Sequence, residues 1–173
     1  MDHLKQLIDL LEEAQSIARN NDIGNITQPG IIKEIIIAYK LGHTLNSVKK
    51  HHDAQSIDGK ELYEYLTTLE GGTFQLHRIM RKHCMEDEAI NRIRRNDAIF
   101  CATFSKEQPL VCLEIIKLFP SWLEAKVIKK CKDYFSANPE TNTFHFGINR
   151  RMLNEAIEAG NASVVWELDE KHT

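Results

Sequence analysis

The stretch 51-HHDAQSIDGKELYEYLTTLEGG-72 decides how the chain is read. Asp58-Gly59 is a strong two-residue turn signal between segments of strand composition, so 45–53 and 60–68 are expected as two antiparallel strands. With such a turn Ile57 faces Lys60 and, counting back, Asp53 faces Glu64. Directly opposed side chains have Cβ atoms about 4.5–5.5 Å apart, and two like charges so placed repel. A sheet does not arrange this for stability. Something must offset it: a cation, a proton shared between the acids, or a different register in which a bulge turns one acid to solvent. An oxygen-rich pair of carboxylates suits Mg²⁺ or Mn²⁺ better than zinc.

Composition bounds the rest. A chain of 173 residues with 42% hydrophobic content fits one domain with a core of its own, and 27% charged residues with only four prolines argue against disorder. No apolar run approaches the roughly 20 residues needed to span a bilayer. The start, MDHLKQLIDLLEEAQ, lacks the basic region and small-residue cleavage site of a signal peptide, so a soluble cytoplasmic protein without a membrane partner is expected. A net charge of −3 excludes holding nucleic acid by bulk charge; local basic clusters or metal ions would have to do it. Cys84, Cys101, Cys112 and Cys131 are scattered, which fits neither a disulfide framework nor a zinc site. Cys101 and Cys112 fall in strand-like runs and read as core residues.

Around this centre the chain alternates helices and strands. Leu4, Leu7, Ile8, Leu11, Ala14 and Ala18 recur at helical spacing over 3–20, giving an amphipathic helix that either packs on its own domain or pairs with a symmetry mate. A second, mostly apolar helix is read from NITQPGIIKEIIIAYKLGH, with Pro29 in its first turn and Gly42 past its end. Glu34 lies roughly 100° from the polar stripe of Lys33 and Lys40, either at the edge of the solvent face or aimed into a site. The runs 96–104 and 109–119 read as two strands joined by SKEQ, with both faces covered. Ser121 and Glu124 form a capping-box pattern opening a helix over 122–135. A short helix between Asn149 and Gly160 and an edge strand, SVVWELD, follow.

The segment 51–72 resembles the core of the PD-(D/E)xK nuclease superfamily, in which an acid ends one strand and E-x-K lies on the next. Over residues 5–150 the chain is similar to PvuII-like type II restriction endonucleases. The likeness runs through the N-terminal helix, an apolar helix ending in LGH, the DA dipeptide, YEY on the next strand, the apolar hairpin AIFCATF…LVCLEIIKLFP and a Trp/Tyr-containing helix. The resemblance implies an α/β fold with a restriction-endonuclease-like core, a mixed β-sheet flanked by helices. It implies one nuclease-like domain over 1–173, with 1–22 a candidate dimerisation helix and 23–173 the catalytic and DNA-binding core. The function it implies is a Mg²⁺-dependent (or Mn²⁺-supported), sequence-specific double-strand DNA endonuclease of a restriction system, acting as a homodimer on two-fold symmetric DNA.

Carried over by position, Asp53 and Glu64 match the metal-binding acids, and Glu34 corresponds to a helix glutamate that some members add. The family's lysine falls on Leu66. Another residue then supplies its function, or the metal suffices, or the enzyme is dead. His51, across from Leu66 in the expected register, is the first candidate for the missing base, with Lys49 beyond it. Gln75, His77 and Arg78 are candidate base readers, because the matching region of the family enters the major groove and because Gln and Arg suit base edges. Arg81, Lys82, Arg92, Arg94 and Arg95 are basic residues suited to phosphate contact. Two alternatives stand beside this reading: a catalytically silent DNA-binding module that keeps the fold, and an intracellular protein-interaction domain recruited through the N-terminal helix.

Overall fold

The structure, a computed structural model, describes residues 2–46, 52–76, 78–81 and 88–169. Its helices are α1 (Asp2–Asn20), α2 (Ile31–Leu41), α3 (Glu88–Arg94), α4 (Pro120–Ala137) and α5 (Arg150–Glu158). Its strands are β1 (Thr44–Leu45), β2 (Ala54–Gln55), β3 (Leu62–Leu69), β4 (Phe74–Gln75), β5 (Ile79–Met80), β6 (Ala98–Phe104), β7 (Cys112–Leu118), β8 (Thr143–Phe144), β9 (Gly147–Ile148) and β10 (Ala162–Glu167).

The nearly unbroken apolar run of β6 needs cover on both faces, and the fold supplies it. A six-stranded sheet in the order β1-β2-β3-β6-β7-β10 is antiparallel except for the parallel β3–β6 pair. Ile99 and Cys101 of β6 point into a core shared with α3, α4 and α5, while Phe100, Ala102 and Phe104 point into one shared with α2. The molecule is therefore mixed α/β, a mixed sheet flanked by helices. No helix among the described residues is long and apolar enough to cross a membrane.

Several local expectations hold. Gly42 ends α2 in the left-handed region at φ 67°, its N–H bonded to Ala38 O. Asn149 Oδ1 caps α5 by accepting from Met152 N–H at 3.0 Å, and β10 is the edge strand. Others are corrected. The expected single strand 45–53 is not continuous: β1 and β2 pair antiparallel through Thr44↔Gln55 and Leu45↔Ala54, so the chain reverses between them, and 47–51 lie outside the described residues. The two-residue turn opens into a four-residue loop, 57–60, closed by Ser56 N–H to Glu61 O at 3.0 Å. The Ser56 hydroxyl and Asp58 carboxylate take the loop's inward N–H groups, and Gly59 at φ 71° makes the reversal. The capping box at Ser121 is not formed. Pro120 fits the first helical turn, α4 starts before Ser121, and Glu124 instead accepts from Arg94 at 2.8 Å.

Helix α3 and the pairs β4–β9 and β5–β8 were not foreseen. The pairs tie β4 to β9 and β5 to β8, and Phe74, Ile79, Phe144 and Ile148 join the core that α4 covers.

Candidate active site: an acidic pair held by an arginine

Although the turn is longer than expected, the register survives. Ala54 pairs with Tyr63 and Gln55 with Leu62, which continues to Asp53 beside Glu64. Asp53 N–H donates to Tyr63 O at 3.0 Å. Beyond that point the Asp53 side chain takes over the ladder, its Oδ2 accepting from Tyr65 N–H at 2.8 Å. One carboxylate oxygen is thus fixed by backbone and the other, Oδ1, faces the site. Glu64 projects from the β3 face that also carries Leu66, and both acids are buried, Glu64 at 3% exposure and Asp53 at 9%.

The offsetting charge is a protein cation. Arg92 of α3 reaches across, with Nη2 in close contact with Glu64 Oε1 and 3.7 Å from Asp53 Oδ1. Even so, burial, followed by the charge of Asp53, pushes the Glu64 carboxyl up to about 7, against the pull of Arg92 and Arg95. Burial alone would lower Arg92, but the Glu64 charge and hydrogen bond, with Asp53 and Glu34, outweigh it and hold the guanidinium above its ordinary value. Glu64 Oε2 is buried and has no hydrogen-bond partner among the described residues.

A cavity of about 400 Å³ opens beside Glu64. Leu66, Leu76, Ile93 and Ile99 form its apolar wall, and Glu64, Thr67, Gln75 and Arg92 its polar one. Leu66, at 8% exposure, therefore lies where a lysine would share a cavity with Glu64, but as part of the core. Glu34, half-buried on α2, curls back toward its own helix start, its Oε1 3.2 Å from where a Cβ on Gly30 would sit. Its charge is felt at Arg92 and at Tyr65, which puts it in the electrostatic surroundings of the pair.

The other sequence candidates separate. Gln75 is exposed at the rim of the cavity, and Arg78 is exposed on the same segment. Arg81 is committed to the fold. Its Nε donates to Thr141 O at 2.7 Å and its Nη2 to Phe135 O at 3.1 Å and to Asn138 O, with the guanidinium over the Phe135 ring. Arg94 pairs with Glu124. His51, Lys49, His77 and Lys82 lie outside the described residues.

Sequence reasoning placed Arg92 among phosphate contacts and missed its position between the acids. The available signal was Ile90 and Ile93, three apart and both buried, which seats a short helix here and carries Arg92 inward with it. On the opposite face of the sheet an unforeseen aromatic cluster backs the site. His43 Nδ1 lies 2.7 Å from Tyr65 Oη, and the His43 ring packs on Tyr63 and Phe100. Burial, then the Lys117 charge, lowers the His43 pKa. Neither a family model nor a curated protein sequence matches the chain.

Two carboxylates with an outward Oδ1 and an unpartnered Oε2 offer hard oxygen ligands of the kind Mg²⁺ takes. Among the described residues no three of His, Cys, Asp and Glu gather as ligands, so water and substrate oxygens would complete the shell.

Proposed function

We propose that the chain is a Mg²⁺-dependent, sequence-specific double-strand DNA endonuclease with a PD-(D/E)xK-like core. The observation that carries this reading is the buried, opposed Asp53/Glu64 pair, an arrangement that costs stability and is bridged by a cation. Asp53 and Glu64 would hold the ion, Asp53 with its carboxylate oriented by the Tyr65 N–H. A bound Mg²⁺ supplies a water of lowered pKa and neutralises charge developing on the phosphate. The apolar wall of Leu66, Leu76, Ile93 and Ile99 limits water on one side of the acids. Gln75, exposed at the cavity rim, and Arg78, exposed further along the segment, would supply base or backbone contacts. Two-fold symmetric DNA calls for a homodimer, and the apolar face of α1 is the element suited to it.

Unmethylated plasmid and phage DNA with Mg²⁺ provide the test. Discrete fragments that vanish on Asp53→Ala support the reading; no cutting across many templates, with Mn²⁺ as well, removes the catalytic part. The second reading, a silent DNA-binding module, is favoured by one observation. Arg92 already occupies the space between the acids, and position 66 is apolar. It predicts DNA binding unaffected by divalent metal and by Glu64→Ala.

A further inference from the structure

The opposed acids need a positive charge, and the chain offers two claimants for one place. The first is the divalent ion of the proposed reaction. The second is the Arg92 guanidinium, in contact with Glu64 Oε1 and 3.7 Å from Asp53 Oδ1. A Mg²⁺ ion about 2.1 Å from a carboxylate oxygen uses the lone pairs that a guanidinium at hydrogen-bond distance also uses. The two cannot share the pair without strong repulsion.

Among the described residues lining the cavity with Leu66, Arg92 is the one cation. Glu64 and Leu66 stand on one face of β3 and line the same cavity, and the Arg92 side chain enters that cavity from α3. A lysine at position 66 would bring its ammonium into this space; Arg92 brings a guanidinium from outside the sheet. Its side chain is 29% exposed, so it has an open side toward which it can move. Arginine does not give up a proton in proteins, so it cannot serve as a base. Its planar fork suits bidentate contact with a phosphate.

We propose that Arg92 is a displaceable counter-charge. It holds the Asp53 and Glu64 carboxylates together in the absence of a divalent cation and leaves them when the cation binds. It then contacts the scissile phosphate, giving the positive charge that Leu66 cannot. Glu64 Oε2, buried and without a hydrogen-bond partner among the described residues, is the oxygen at which the ion first gains a hold. This rests on the nuclease reading of the site and adds the order of events within it.

The test is calorimetric titration of the full chain with Mg²⁺, without DNA, for wild type, Arg92→Gln, Arg92→Lys and Asp53→Asn. Removing the competing charge tightens Mg²⁺ binding in Arg92→Gln by roughly tenfold or more, with Arg92→Lys in between. In plasmid cleavage the order reverses: Arg92→Gln loses roughly a hundredfold in rate and Arg92→Lys regains part of it. Because Arg92→Gln leaves two buried acids without that partner and can lose its fold, the wild type supplies an independent reading. The Arg92 guanidinium NMR resonance, assigned with Arg92→Lys, changes from hindered to free rotation on adding Mg²⁺. Mg²⁺ binding that depends on Asp53 but leaves this resonance unchanged overturns the displacement and keeps the metal site. Absence of Mg²⁺ and Mn²⁺ binding in both wild type and Arg92→Gln overturns the metal site and the displacement with it.

Discussion

A carboxyl group at 3% exposure, with a second carboxylate opposite it, holds its proton more tightly than one in water. Glu64, pushed up to about 7 from 4.5, is that group. The unfolded chain therefore loses this proton first as pH rises. The stabilisation is fully present below about pH 4.5 and is lost as pH climbs through about 7. In metal-free buffer, unfolding free energy should fall across that window by a few kcal/mol, an order-of-magnitude figure for a shift of this size. Glu64→Gln should flatten the fall, as read by urea unfolding at closely spaced pH values. An identical pH slope in both proteins would contradict the burial argument. Both acids and their opposition were legible in the sequence, because a short turn and a register follow from neighbouring residues. For Arg92 the spacing of Ile90 and Ile93 reached only as far as a short buried helix; its contact with Glu64 depends on how α3 lands on the sheet.

Among the elements, the 74–81 segment shows how a residue's chemistry can belong to the fold. Arg81 reads as a phosphate contact because it stands with Lys82 in a local basic cluster. In place, its donors take backbone carbonyls at the end of α4 and in the following loop. Carbonyls at a helix end lack partners of their own. Arg81→Ala should lower stability by roughly 2–3 kcal/mol, as expected for losing several charge-assisted bonds. It should leave the DNA affinity of the folded fraction within about twofold, measured by band shift below the melting transition. A loss of affinity without loss of stability would return Arg81 to the DNA surface. The helices with end signals at Gly42, Asn149 and Gly160 were readable because each signal is local. The four strands of the two small sheets were not: two residues carry no periodicity, and their partners lie far along the chain. The capping box at Ser121 failed because Pro120, one position earlier, is itself well suited to the first helical turn.

At the scale of the whole molecule, α1 stands apart from the sheet. Only its end joins a core, through Ala18 with Ile26 and Ile31, while Leu4, Leu7, Ile8 and Leu11 are 46% to 68% exposed. Of the two expectations for this helix, packing on its own domain accounts for its C-terminal end, where Gln15 bonds Gly24 O and Ile26 N–H and Ala18 meets Ile26 and Ile31. Leu4, Leu7, Leu11, Ala14 and Ala18 repeat at alternating spacings of three and four, the seam along which helices pair. If two copies meet there, Leu7→Glu buries a charge in that seam and should weaken the dimer roughly a hundredfold. Light scattering at micromolar concentration would then report a monomer whose unfolding free energy is otherwise little changed. A wild-type chain that is monomeric at high concentration would contradict the pairing.

The central question is what the buried Asp53/Glu64 pair does. Supercoiled plasmid incubated with wild type and with Glu64→Gln, in Mg²⁺ and then in Mn²⁺, asks that most directly. Wild type is expected to give linear or fragmented DNA only in the presence of the metal, and Glu64→Gln none at matched folded concentration. Equal cutting by both proteins, or intact plasmid with wild type in either metal, would contradict it.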